Sequence, residues 1–319
     1  MPVNPSWPAP SAPRPWLGIG FIVAAVTCFA SMDTTVRYVG QRGMPLLLIL
    51  WVRYALQALL AALWIVASRS GGFRTVQPRF QTLRGALLLL SSAFTYLALQ
   101  HLPVPELTSI NMIGPVLVTA LAGWLLGERV SRLRKLLVLG GLIGALVVIR
   151  PGGGLFGWVV LLPICSTLCY AAFQLLTSHM SGQDNAYTTN FYSGLVGTLL
   201  VTPVVLIGLP AWPQQVLALS TPDLTLLLAI GVLGTVGHLL LIRALGIAPA
   251  STLMPFMYLQ IGAATVIAWL VFGHVPDPWA WLGMAVIAGC GAATAWLNVR
   301  SAQQAHRIIP AASADTVAD

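Results

Sequence analysis

The chain has 319 residues, of which 57% are hydrophobic and only 8% charged, with a formal net charge of +8. Ordinary soluble domains carry about 25% charged residues, so this composition excludes a water-soluble enzyme. A disordered chain would need low hydrophobicity, and four cysteines are too few for a disulfide scaffold.

A polytopic membrane protein remains. A helix needs about 20 apolar residues to cross the hydrocarbon of a bilayer. Ten such segments follow one another: 17–37, 46–67, 84–100, 104–126, 135–150, 156–177, 188–209, 224–243, 249–272 and 279–297. They are continuously apolar, whereas a membrane β-barrel would alternate. The predicted fold class is therefore an all-α polytopic membrane protein with ten transmembrane helices and short loops. Residues 1–16, opening MPVNPSWPAPSAPRP, read as a disordered proline-rich tail. No basic stretch precedes the first apolar run, so a cleavable signal peptide is not expected. Residues 299–319 lack a periodic apolar pattern and read as a second disordered tail.

Polar residues inside these segments are the candidates for chemistry. A charge in hydrocarbon costs roughly 2.5–3.5 kcal/mol on insertion scales and needs a partner or a water-filled space. Asp33 is the only carboxylate well inside a predicted helix, and Arg37 follows at i+4 on the same face. Arg53, in the antiparallel second segment, lies at a similar depth. The three can cluster, either as an outer gate or substrate clamp or as a structural ion pair between the first two helices. Tyr96 and Tyr170 are aromatic candidates in the third and sixth segments. The fourth carries Thr108, Asn111, Pro115 and Thr119 as one polar stripe, which helix–helix hydrogen bonding would equally explain. In the eighth, His238 sits mid-helix. It can relay protons or bond a backbone carbonyl. The ninth places Tyr258 and Gln260 near the midplane, with Met254, Tyr258, Gly262 and Thr265 on one face.

Other patterns read as packing. Cys28, Cys165, Cys169 and Cys290 all fall inside apolar segments and behave as small buried residues. Gly140–Gly144 and Gly153–Gly157 match the small-xxx-small pattern of close helix contact. His179 and Asp184 form an H-x4-D pair in a polar loop with no companion motif. The chain has no HExxH, GxSxG or P-loop, and no metal, cofactor or catalytic residue is expected.

Arginine placement predicts orientation. With a cytoplasmic N-terminus, twelve of the sixteen Lys and Arg residues lie on the inside and four (Arg37, Arg42, Arg53, Arg150) outside or in the outer half, as the positive-inside rule requires. Both termini are then cytoplasmic, and the basic residues are membrane-edge anchors facing anionic lipid rather than a nucleic-acid surface.

The chain also repeats itself. ALQHLPVPELTSINMIGPVLVTALAGWLLGE (98–128) lies over ALGIAPASTLMPFMYLQIGAATVIAWLVFGH (244–274) without a gap, each residue 146 positions on (98 against 244). Ala98 meets Ala244, Pro103 meets Pro249, Thr119 meets Thr265 and Gly127 meets Gly273. Each half holds five helices, an odd number, so the second half enters the membrane in the opposite sense. Inverted repeats of this kind mark secondary transporters with the substrate near the midplane.

LGERVSRLRKLLVLGGLIGALVVIRPG (126–152), GHLLLIRALGIAPASTLMPFMYLQ (237–260), FGHVPDPWAWLGMAVIAG (272–289) and FASMDTTVRYV (29–39) resemble the drug/metabolite transporter superfamily, in its ten-helix EamA type. The resemblance covers about 17–297 and implies two EamA domains, 17–150 and 151–298, between the tails. It implies export or import of a small solute and a central cavity bordered by the fourth and ninth helices. One departure stands out: Glu128 closes the fourth helix, but its counterpart is His274.

The expected function is a secondary transporter in the inner membrane, moving a small polar or zwitterionic metabolite by alternating access. An intramembrane enzyme or a lipid scramblase or scaffold is the alternative. Its partners are the small-molecule substrate and the lipid bilayer, with no nucleic acid. Oligomeric state stays open between monomer and homodimer.

Overall fold

A computed structural model describes residues 15–68, 72–101, 107, 110–111, 113–125, 130–149, 158–208, 219–273 and 278–312. The described residues form helices α1 (Pro15–Gln41), α2 (Leu46–Ser68), α3 (Pro78–His101), α4 (Gly114–Leu125), α5 (Arg132–Ile149), α6 (Leu161–His179), α7 (Ala186–Gly208), α8 (Thr221–Ile247), α9 (Ala250–Met257), α10 (Leu259–Phe272) and α11 (Pro278–Ala312). A short 3-10 turn, Trp158–Val160, leads into α6. No strand occurs among the described residues.

Seven of these runs are long and apolar enough to cross a membrane, with Ala250–Val271 counted as one span made from α9 and α10. The other three expected spans are α4, α5 and the apolar Trp281–Thr294 part of α11. Residues just before α4 lie partly outside the described set. α5 opens with Arg132, Arg134 and Lys135, which shortens its apolar stretch. Local chemistry sets the ends. Ser220 caps α8 and forms a reciprocal capping box with Asp223, satisfying two otherwise orphaned donors. α10 ends at Gly273 in the left-handed region, φ 71°, where glycine has no Cβ to strain. α11 runs on to Ala312, well past 298, where the apolar pattern stops.

The two halves pack as inverted copies. Helices α2 and α7 are equivalents. They lie antiparallel, with Trp51 bonded to Thr202, Tyr54 against Gly197, and Gln57 bonded to Asn190. Gly197 meets the Tyr54 ring and Gly194 meets the backbone of Gln57 and Ala58; a shift of 140 (54 to 194, 57 to 197) exchanges the two contacts. Antiparallel equivalents place the pseudo-two-fold axis in the membrane plane. The same operation exchanges the α1–α8 packing with the α3–α6 packing, and leaves α5–α11 paired with itself. Along α5–α11, Gly140 approaches Cys290 and Gly144 approaches Gly283 and Ile287, so this glycine pair serves close packing. Gly153 and Gly157 lie outside the described residues.

The main apolar core runs between α1, α2, α3, α4, α6, α7, α8 and α9. A smaller cluster of Val138, Tyr258, Ile261 and Ile287 joins α5 and α11 to the ninth span.

Candidate functional site

The ninth span is broken. Pro255 lies inside α9 and has no backbone N–H, and Tyr258 sits between α9 and α10. The Ile261 N–H bonds the Tyr258 carbonyl at 3.1 Å, a tightened turn. The fourth span turns at Ile113, where the Ile113 N–H bonds the Ile110 carbonyl at 3.1 Å, just before Gly114 and Pro115. Ile113 is the repeat equivalent of Leu259, the residue after Tyr258, so the two turns fall within one residue of each other in the repeat. Paired interruptions in an inverted repeat leave half-helix N-termini inside the membrane thickness, where they favour polar groups.

One such end meets a carboxylate. Gln260, in the first turn of α10, donates from Nε2 to Asp33 Oδ2 of α1 at 3.3 Å. Asp33 also lies within coulombic reach of Arg53. Arg53 is 2% exposed. Its guanidinium donates to Ser92 Oγ of α3 at 2.5 Å and, more weakly, to the Tyr54 hydroxyl at 3.4 Å. It lies over the Tyr54 ring at 4.8 Å. No carboxylate of the described residues comes within 4.0 Å of it, and its Nε has no hydrogen-bond partner among them. Tyr96 is buried, and its hydroxyl feels the Arg53 charge without forming a well-shaped hydrogen bond.

Aromatic groups line the inner side of this pair. His238 of α8 packs on Phe29 at 4.7 Å and on Phe173 at 6.0 Å, and Phe173 stacks on Tyr170 at 5.7 Å. His238 Nδ1 lies 2.8 Å from the Gly234 carbonyl. A carbonyl only accepts, so Nδ1 carries a proton, and Nε2 of the neutral ring is an acceptor with no partner among the described residues. Gly234 makes room for the charge. A Cβ there would stand 3.2 Å from Arg53 Nε and 3.3 Å from the Met32 sulfur.

The predicted residues therefore divide. Asp33, Arg53, Tyr96, Tyr170, His238 and Gln260 converge from α1, α2, α3, α6, α8 and α10. Arg37 is half-buried and makes no ion pair with Asp33. Asn111 is half-buried, with the Thr167 hydroxyl of α6 3.0 Å from its Oδ1. Tyr258 packs elsewhere, with its ring against Gly141 of α5. Thr119 is buried without a partner for its hydroxyl among the described residues. Thr108, Glu128 and His274 lie outside the described residues. Among the described residues no group of His, Cys, Asp and Glu could hold a metal, and the four cysteines are free.

Sequence reading missed Arg84 as a site residue. It counted Arg84 as a loop anchor because the apolar run begins there. α3 begins six residues earlier, at Pro78, and Arg84 is fully buried. Its guanidinium donates to the Thr189 carbonyl and, at 2.7 Å, to Ser193 Oγ, and it lies over the Phe173 ring at 5.5 Å. The proline at the helix start was the signal available. Asp184, of the H-x4-D pair, is an anchor. It accepts from Thr75 Oγ1, the Val76 N–H and Gln81 Nε2, tying the α6–α7 loop to the start of α3.

Known proteins place the whole chain in context. The profile of the EamA-like transporter family matches residues 16–150 and 157–294. A riboflavin transporter of Brucella anthropi is 26% identical, over 84% of this chain and 94% of its own. An S-adenosylmethionine uptake transporter of Rickettsia conorii is 23% identical, over 82% and 86%. A pseudopaline exporter of Pseudomonas aeruginosa is 26% identical, over 61% and 66%. A solved crystal structure shares the fold with a TM-score of 0.71 at 16% identity, covering 88% of this chain and 96% of that one. With its profile matched twice across nearly the whole length, the chain belongs to the EamA-like transporter family and is a multi-pass membrane permease for small molecules, not an enzyme.

Proposed function

We propose that the protein is a secondary transporter of the inner membrane that moves a small polar or zwitterionic metabolite by alternating access between its two inverted halves. The observation that carries this reading is the Asp33–Gln260 contact at the break of the ninth span, near a buried Arg53 that has no carboxylate of the described residues within 4.0 Å. A cation with neutral hydrogen-bond partners in hydrocarbon invites an anionic group, and a carboxylate beside it invites a cation or donor. Tyr170, Phe173, His238 and Phe29 offer ring faces and edges to a planar portion of the solute. The relatives named as a riboflavin transporter and an S-adenosylmethionine uptake transporter make those two compounds the first to test.

The bacterial origin of these relatives supports the inner membrane. The arginine bias supports cytoplasmic termini: with Arg84 moved from loop to interior it is eleven against four, the same sign. The experiment is a comparison of intracellular and medium metabolites between a deletion strain and an overexpressing strain. A small set of polar solutes shifting in opposite directions in the two strains is expected. Identical profiles in strains shown to make and lack the protein would contradict transport.

A further inference from the structure

Building on the alternating-access reading, we infer that Arg84 and Phe173 form the gate that closes the central site toward the face bearing the α2–α3 and α6–α7 loops. That face is cytoplasmic in the proposed orientation.

The loop side of the site is tightly packed, whereas Asp33, Tyr170 and Gln260 within the site keep part of their surface exposed. Toward the loop face, Gln57, Gln81, Arg84, Phe173, Asn190 and Ser193 are at most 1% exposed. Arg84 lies six residues into α3, about 9 Å from its start at 1.5 Å per residue, between the loops and the central residues. It belongs to the first half, yet it bonds Thr189 and Ser193 of the second. The Phe173 ring beneath its guanidinium also touches Tyr170 and His238. One aromatic ring thus separates the central group from a charge that straddles the two halves.

The chemistry of this layer favours a gate over a fixed staple. Arg84 is held by hydroxyls and a carbonyl, with no carboxylate of the described residues within 4.0 Å, and its Nε has no partner among them. Apolar packing usually seals a permanent interface at least as well as a buried charge does. A polar layer of Arg, Gln, Asn, Ser and Thr can instead trade its mutual hydrogen bonds for water when the halves part. Asp184 holds the outer rim of the layer through Gln81 and Thr75.

The test is thiol accessibility at Tyr170, a half-buried α6 residue about one turn to the site side of Phe173, in a variant lacking Cys28, Cys165, Cys169 and Cys290. With Tyr170→Cys in intact cells and in inside-out vesicles, a charged thiol reagent is expected to react slowly from the loop face. Adding Arg84→Gln should raise that rate about tenfold or more, the population shift expected when hydrogen bonds to a charged group are lost. Phe173→Ala should act likewise, and Arg84→Lys should lie between. If Arg84→Gln does not fold, Phe173→Ala carries the test. An unchanged rate in folded Phe173→Ala and Arg84→Gln protein would overturn the gate. Equal acceleration from both faces would also overturn it, as general loosening. The readout needs no substrate, so a failure to find a cargo would leave its outcome intact. Protection swapped between intact cells and vesicles would keep the gate and overturn the orientation.

Discussion

Arg53 and Asp33 sit close enough to act on one another but are not bonded as a pair, and this separation sets what each substitution does. Asp33→Asn keeps an oxygen to accept from Gln260, so the fold should survive with little change in thermal stability. Transport should fall at least about tenfold, because the charge seen by the solute is gone. Arg53→Gln is different. It removes hydrogen bonds from a buried charged group, worth about 1.5–3 kcal/mol each, so melting of the purified protein should drop together with transport. Wild-type transport by Asp33→Asn would remove Asp33 from the site. Both residues were legible in the sequence, because a charge inside an apolar run has few explanations. Arg84 was not, because a charge at the edge of such a run looks like an anchor. Tyr258 was legible as a midplane residue, but the helix break turns its ring toward Gly141 and away from Arg53.

Helices carry two further expectations. Gly194 faces backbone: a Cβ there would stand 2.3 Å from the Ala58 nitrogen. Gly194→Val should therefore force α2 and α7 apart and destabilise the protein by about 1–3 kcal/mol or more. Gly40→Ala, where nothing lies within 4 Å, should be neutral in the same melting assay. Equal stability of the two variants would refute the close α2–α7 approach. Pro255→Ala restores an N–H to the ninth span. If the break serves transport, this variant should fold at least as well and turn over more slowly; unimpaired turnover would make the break incidental. Apolar run length located the spans well. It could not mark their ends, since caps such as Ser220 and the polar continuation of α11 to Ala312 depend on local hydrogen bonds and not on hydropathy.

At the scale of the whole molecule the inverted repeat organises everything. The match of 98–128 with 244–274 revealed it, and in the second copy Pro249 opens α9 and Gly273 closes α10. The α2–α7 pairing was hidden, since its equivalence runs at 140 and its contacts use ring-on-glycine packing that no pattern of apolar residues encodes. The inversion predicts sidedness. Cysteines placed by Ser131→Cys and Asp277→Cys should label from opposite sides of the membrane, position 131 from the cytoplasm. Labelling of both from one side would break the inversion. The central claim, passage of a small solute through the Asp33–Arg53 site between these halves, is tested most directly in proteoliposomes. Purified protein is reconstituted, the vesicles are presented with a polar metabolite mixture including riboflavin and S-adenosylmethionine, and the contents are read by mass spectrometry. At least one solute should accumulate with wild-type protein and fail to accumulate with equally folded Asp33→Asn. Vesicles that accumulate nothing beyond protein-free controls, or that accumulate the same solute equally with Asp33→Asn, would contradict it.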